Sequence, residues 1–401
     1  MSIVASNTLA LPTNLAAKSY AGMFMRLFPN GPAPIWAIMA NMKTKTALQY
    51  EHGYYTKTMV FPQFNLTTAQ NAAATALVVD STANLVVGQV FQISSTGENV
   101  LLTVITDATH ITVQRAFGST AAANFDGSGT PVLCPCVGNA HEEGSVRPAS
   151  SIIMPTRVIN ITQIFRNTWA ITDSLRATMT IAGEGNVAES RQDCALFHSA
   201  DMEKAIIFSQ LFSGTLNNAP VRAMDGIITS TNNFAPGNIS VAGGTTTYTQ
   251  LENMLDPLFN FQSDPRMAME RWLFVGGTAL RTINQIGRLS GQYFIVDGQT
   301  NFGLMFSTFK ISRGTFRMVE HPLLNSNPIW KKYAIGLDFM SMSIAYLANR
   351  KTKSEEFGVD GKYVEQGQDC VGGSLTTEMT MEIMNPFANG IVSNLTAGAA
   401  G

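Results

Sequence analysis

Apolar and polar positions follow two different periods along this chain, and the longest stretch with a helical period frames the rest. Between Gly185 and Gly214 no proline intervenes, and Cys194, Phe197, Asp201, Ala205, Phe208 and Phe212 recur at three- and four-residue steps. Met202, Ile206 and Ser209 widen that stripe, while Arg191, Asp193, Glu203 and Gln210 fall mostly off it. Asn186 stands where an N-cap belongs, Glu189 suits the positive end of the helix dipole, and Gly214 offers a stop without a Cβ penalty. The pattern predicts one amphipathic helix over residues 185–214, on the order of 40 Å long at about 1.5 Å per residue, with one broad face buried.

Upstream, Tyr20, Met23, Phe24, Leu27 and Phe28 share a helical face before the stop Pro29-Asn30-Gly31-Pro32. Pro34 then sits where a first helical turn tolerates it, ahead of an apolar run to Met42. Residues 48–62, rich in tyrosine, threonine and valine, read as an extended arm. From Asn65 to about Ala140 the period shortens to two, with strands predicted at 76–80, 89–94, 99–106 and 110–115 and a hairpin turn at Asp107-Ala108-Thr109. This reads as a small all-β module inserted into the arm, whose returning half is residues 142–170. Beyond the long helix, residues 215–244 look loop-like on the turn signals Asn217-Asn218, Ala235-Pro236-Gly237 and Gly243-Gly244. A helix at 249–261, broken near Pro257, precedes a buried strand at 271–276 that runs directly into a helix at 278–286. Paired strands are expected at 302–311 and 315–320, one or two more at 330–344, a charged loop at 349–356 and a last strand at 374–384. The fold class is α+β, without an internal repeat.

Composition narrows the partners. Of 401 residues 45% are apolar and only 13% charged, with a net charge of −2, which suits a surface that is covered in an assembly. There is no basic excess to drive nucleic-acid binding by phosphate neutralisation. Four cysteines, at 134, 136, 194 and 370, are too few and scattered for a disulfide framework, so a reducing compartment is expected. No signal-peptide pattern and no membrane-spanning apolar run is present, so a soluble, unexported protein with no membrane partner is expected. Twenty methionines supply adaptable side chains for cores or subunit contacts.

Candidate chemistry is sparse. Gly183-Glu184-Gly185-Asn186-Val187-Ala188 has the G-x-G-x-x-A form of a dinucleotide turn. The acidic partner about 20 residues on would be Glu203, inside the helix, so a turn and a helix start explain the glycines equally well. Cys134, Cys136 and His141 lie close together, but C-x-C is not zinc spacing and no fourth ligand is near. His52, His110, His198 and His321 stand alone, and His198 reads as a packed histidine. Lys18, Arg26, Lys43, Lys45 and Lys57 against Glu51 make the first 60 residues mildly basic, most simply a solvated face. No nucleophile elbow, phosphate loop or zinc-helix motif occurs. No enzyme activity, catalytic residue, cofactor-binding residue, metal ligand or cofactor is therefore expected.

Several stretches taken together resemble one family. Ala21-Gly22-Met23, Pro29 to Pro34, Lys45-Thr46-Ala47 and Glu51 to Thr58 resemble the amino-terminal region of major capsid proteins of tailed bacteriophages. So do Glu142-Glu143-Gly144, His198 to Ala205 and Thr377 to Pro386, and the likeness runs in order over most of the chain. The resemblance implies the tailed-phage and herpesvirus-floor capsid fold, with an N-terminal arm (1–47), an extended β-loop (48–64 and 141–170) and an inserted all-β domain (65–140). A peripheral domain with the spine helix (171–214 and 345–401) and an axial domain (215–344) complete it. It implies a virion structural protein that self-assembles into the pentamers and hexamers of an icosahedral head around double-stranded DNA, with weak non-specific DNA contact on the inner face. A scaffolding protein, a portal and decoration proteins are implied partners, and assembly is implied to occur in the host cytoplasm. In some such capsids a loop lysine forms an isopeptide bond with a neighbour's asparagine, and here Lys57 with Asn385 or Asn389 are the candidates. The alternative is a phage or cell-surface binding protein whose β-module contacts glycan or receptor.

Overall fold

The computed structural model describes residues 34–42, 44–57, 61–148, 154–177, 187–262, 269–290, 296–301, 304–358 and 369–399. They fall into two units, one from Met1–Tyr54 and Val158–Gly401 and the other Tyr55–Arg157. The expected helix at residues 20–28 lies outside the described residues, as do Gly183 to Asn186.

The first element among the described residues is α1 (Pro34–Met42). Proline is preorganised for a first turn, and Ile35, Ile38 and Met39 at helical spacing are buried. β1 (Thr44–Ala47) and β2 (Glu51–Thr56) follow and lead into the second unit.

That unit is built from β3 (Gln63–Leu66), β4 (Ala76–Val78), β5 (Gln89–Ile93), β6 (Glu98–Ile105), β7 (His110–Gln114) and β8 (Val132–Asn139). Four of these are strands the alternating pattern predicts, with the hairpin between β6 and β7 pairing Ile105 with Ile111. The spatial order is β3-β8-β5-β6-β7-β4. Leu66 bridges Val79, Thr67 N–H donates to Val78 O at 3.3 Å and Asp80 N–H to Asn65 O at 3.0 Å, so the two edges meet and the sheet closes. Alternate side chains, among them Phe64, Phe91, Ile93 and Leu102, fill the interior. Glu98 is buried there as well, gripped in a fork by Arg115 Nε and Nη2, both at 2.7 Å, and by the Ala116 N–H at 2.9 Å. Arg115 also donates to the carbonyls of Asn71, Ala74 and Ala123, so both members of the pair are satisfied and the β3–β4 and β7–β8 connections are tied to one point.

The first unit resumes with β9 (Thr156–Ile161), which pairs with β2 as a two-stranded ribbon, then β10 (Gln163–Thr172), α2 (Asp173–Ala177) and α3 (Val187–Phe208). Next come β11 (Phe212–Leu216), β12 (Ala219–Ala223), α4 (Ile227–Phe234), β13 (Ile239–Val241), β14 (Thr245–Thr246) and α5 (Tyr248–Leu255). The remainder is β15 (Glu270–Val275), α6 (Gly277–Leu289), β16 (Val296–Asn301), β17 (Leu304–Lys310), β18 (Thr315–Glu320), β19 (Ala334–Leu337), β20 (Met342–Leu347), β21 (Lys353–Phe357), β22 (Cys370–Ile383), β23 (Gly390–Ser393) and β24 (Ala397–Gly398). One sheet runs β1-β20-β22-β10, with β21 also on β22, and a second runs β13-β23-β19-β15-β18-β17-β16. One apolar core takes side chains from α1, α3, β20, β22 and one face of the second sheet. Another lies under α5 and α6, where Leu251, Leu255, Ile283 and Ile286 are buried. α5 starts at a capping box of Thr247 and Gln250 and gives way to a tighter turn at Asp256-Pro257, as the proline requires.

Three expectations need correction. Among the described residues the long helix runs Val187–Phe208 and so ends at Phe208, not at Gly214; at about 1.5 Å per residue that is roughly 33 Å. Phe212 and Gly214 belong instead to a hairpin whose turn residues Asn217 and Asn218 have φ of 50° and 60°, a conformation asparagine tolerates and a tight hairpin needs. The region 215–244 is not a loop, since it holds β12, α4 and β13, and the charged stretch 349–356 contains most of β21, paired with β22.

Candidate functional site around the long helix

The buried face of α3 is set by Cys194, His198, Met202, Ala205 and Ile206, rotated by one residue from the expected stripe. Phe197, expected inside, is 67% exposed, and Glu203, expected outside, is fully buried. Each buried polar group on this face has partners. Glu203 Oε1 and Oε2 accept the Ile35 and Trp36 N–H groups at 2.8 and 2.7 Å, so the carboxylate caps the start of α1 where its dipole is positive. Its Oε1 also meets His321 Nε2 at 2.8 Å, just beyond β18. One side chain thus joins α3, α1 and the second sheet.

His198 bridges Asn167 Oδ1 through Nδ1 and Thr377 Oγ1 through Nε2, both at 2.7 Å, and Thr352 meets Thr377 at 2.8 Å. Asn167 gives its amide N–H to Asp201 at 3.0 Å, so its oxygen accepts and the histidine carries its proton on Nδ1. Burial lowers the His198 pKa from 6.5, with Asp201 opposing, which favours this neutral ring. The packed-histidine reading fits this geometry.

A second cluster lies at the root of the β2–β9 ribbon. Along β22, Met379, Met381 and Ile383 enter the core while Glu378, Thr380 and Glu382 face the other way, yet these too are buried. Glu378 accepts from Thr162 Oγ1 at 2.8 Å and from Arg350 Nε at 2.7 Å. Glu382 accepts from Lys45, from Ser343 Oγ at 2.7 Å and from His52 Nε2. Burial alone would raise its carboxyl; the hydrogen bonds from Lys45, Ser343 and His52 outweigh that and hold it below its ordinary 4.5. Beside it, burial pushes the Tyr54 hydroxyl up to about 12, with a hydrogen bond to the Ile383 backbone opposing and the charges of Asp225 and Glu382 adding.

Asn160, on β9, reaches across to the turn before α4. Its amide donates to Met381 O at 2.8 Å and Asp225 O at 3.2 Å, and its oxygen accepts the Asp225 N–H at 2.8 Å. The turn also closes on the end of α3, because Ser209 O accepts from the Gly226 N–H at 2.9 Å and from Thr229 Oγ1 at 3.0 Å. A Cβ on Gly226 would lie 2.8 Å from Ser209 N and 2.9 Å from Ser209 O, so only glycine permits this approach.

The other residues singled out in the sequence are not drawn together. Gly183 to Asn186 lie outside the described residues, while Val187 and Ala188 open α3. Cys134 is buried in the closed sheet, where burial pushes its thiol up to about 12, Cys136 turns its thiol to Gly138 O, and the His141 ring lies against Gly88. Among the described residues no group of three or more His, Cys, Asp or Glu could hold a metal ion. His110 bonds Asp107 within the β6–β7 turn. Lys57 is exposed, whereas Asn389 is fully buried with its oxygen on the Asp338 N–H at 2.9 Å, and Asn385 donates to Phe261 O at 3.4 Å. The sequence pattern puts Glu203 off the buried stripe and does not single out Asn160 or Asp225, whose partners are far away along the chain; the interleaving of Met379 and Met381 with Glu378, Thr380 and Glu382 is the local pattern that could mark β22 as buried on both faces.

These clusters fix elements to one another. A family model described as SU10 major capsid protein matches residues 5–396. The major capsid protein of Pseudomonas phage PaMx41 is 34% identical over 400 residues, covering 97% of this chain and 95% of that one. The chain belongs to the SU10 major capsid protein family. Among solved structures, a chain of Mycobacterium phage Bobi matches with a TM-score of 0.47 and 8% identity over 95% of this chain and 96% of that one. A chain from the capsid of a native GTA particle has a TM-score of 0.45 and 9% identity over 98% of this chain and 99% of that one. For a member of a capsid family, exposed apolar side chains matter more than pockets. In the first unit they include Phe197 on α3 and Phe212 and Leu216 on the β11–β12 hairpin, the last 63% exposed.

Proposed function

We propose that this SU10-family chain is the repeating subunit of an icosahedral phage head, assembling as pentamers and hexamers around double-stranded DNA. The observation that carries the reading is the near end-to-end match to a major capsid protein at 34% identity. The physics supports it: a two-stranded ribbon and a two-stranded hairpin with exposed apolar side chains are marginal in water and gain stability against neighbouring copies. In this reading residues 1–47 are the arm, 48–64 and 141–170 the extended loop and 65–140 its inserted domain. Residues 171–214 with 345–401 form the peripheral part, and 215–344 the axial part. The arm and loop lie on neighbouring subunits through heterologous contacts that close into rings. A scaffolding protein, a portal and decoration proteins are the further partners, DNA contact is weak and non-specific, and assembly takes place in the host cytoplasm. The chain acts as a structural element and not as a catalyst. A surface-binding protein is not favoured, because the family match runs through the β-module and the rest of the chain alike.

Electron microscopy of the purified chain, alone and co-expressed with a scaffold candidate from the same phage, tests this. Rings or shells are expected; a monomer of 43.3 kDa that persists under every assembly condition overturns it.

A further inference from the structure

The turn before α4 holds a buried carboxyl that the hydrogen bonds of this joint do not balance. Asp225 is 8% exposed, and its Oδ1 is buried with no hydrogen-bond partner among the described residues. Its backbone is held on both sides by Asn160, while the neighbouring Gly226 N–H is already given to Ser209 O. A carboxylate in this position is a buried charge without a counter-charge, and a protonated carboxyl is not. The surrounding groups do not relieve it. From β2 the facing group is the Tyr54 hydroxyl, and from β9 the Asn160 amide, both uncharged. Lys45, His52 and Ser343 are directed to Glu382, and Arg222 of β12 lies over the Tyr50 ring at 4.1 Å.

We propose that Asp225 is a proton-operated latch: protonated, it holds the turn closed on Asn160 and the end of α3 and so anchors the root of the β2–β9 ribbon, and ionised, it loosens that anchor. Burial raises the Asp225 pKa from 3.8 to about 6, in keeping with this; the Gly226 N–H, whose main acceptor is Ser209 O, opposes it only in part. The sign follows from linkage. A group whose pKa is higher when the turn is closed stabilises closure fully below 3.8, and that stabilisation is lost as pH rises through about 6. Opening therefore becomes about tenfold easier per pH unit between about 4 and 6 and levels off above that. Glu382, whose carboxyl lies below 4.5, changes charge only at the acid edge of this window. The latch stands on the joint's own geometry and not on the assembly reading; only its consequence for a shell, a ribbon freed or fixed by pH, depends on that reading.

Amide hydrogen exchange of the full chain, followed by mass spectrometry in one oligomeric state, tests the latch at peptides covering residues 156–163 and 219–230. After correction for intrinsic exchange, opening is expected to rise roughly 30-fold from pH 4.5 to 8, nearly all of it below about pH 6.5. In Asp225→Asn the profile is flat and protection at pH 7 is at least that of the native chain at acid pH. Asp225→Ala, which also lacks the proton site, must be flat too should the amide disturb the turn. In His52→Gln the slope must survive. A flat native profile, a slope that persists without Asp225, or a slope that disappears with His52 overturns the proposal.

Discussion

Glu203 lies on the polar side of the sequence pattern and in the interior of the fold. Helical periodicity sorts residues by apolarity and cannot register a carboxylate whose partners, Ile35, Trp36 and His321, are more than a hundred positions away along the chain. The same blindness covers Glu98, whose carboxylate is fully buried against Arg115. Removing one partner of such a group leaves the others desolvated without a bond, which costs more than the bond itself contributed. Glu203→Ala is therefore expected to lower unfolding stability by about 3 kcal/mol and to loosen α1, whereas Glu203→Gln, which keeps an acceptor oxygen, should cost about half as much. Urea unfolding followed by tryptophan fluorescence reads both, since Trp36 is itself a donor to Glu203. A loss under about 1 kcal/mol for the alanine variant would remove Glu203 from its role as the tie between α1 and α3.

At the scale of elements, strands with clean alternation were legible to within a residue or two, because a period of two leaves little freedom in where a half-buried strand can sit. The boundaries of α3 were not. Residues 209–214 could continue the helix on local propensity, but Gly226 and Thr229 occupy the Ser209 carbonyl, and the asparagine turn draws Phe212 into a hairpin. Tertiary contacts decide the end of this helix. It follows that the end is vulnerable from outside the helix: Gly226→Ala sets a methyl against the Ser209 backbone and should cost about 1–3 kcal/mol. Fraying should be confined to the last turn of α3 and the turn before α4, so limited proteolysis is expected to show new cleavage between residues 205 and 230 and unchanged resistance in the second unit. Uniform loss of protection over the whole chain would contradict this. Lys353–Phe357 was illegible for a related reason, since a charged run forms β21 only because β22 offers it a free edge.

For the whole molecule, the sequence carried the change of composition at Asn65 and again near Ala140, but not the closure of the module between them, which rests on the single bridge between Leu66 and Val79 and the hydrogen bonds around it. Closure matters because it leaves the module without an open sheet edge and gives it a core of its own. Gln63 lies opposite Pro135 in the β3–β8 pair, so the chain enters and leaves the module side by side. Two outcomes are then expected. A fragment of residues 61–148 should unfold cooperatively in urea by itself, and a chain in which residues 64–134 are replaced by a two-residue Asn-Gly turn should keep the melting behaviour of the first unit within a few degrees, since that unit's cores use none of the removed side chains. A fragment without a cooperative transition, or a shortened chain that does not fold, would make the module part of the chassis. A shortened chain that folds but no longer forms rings or shells would assign the module to contact between subunits, because its removal leaves the interior of each subunit intact and alters only what the subunit presents to its neighbours.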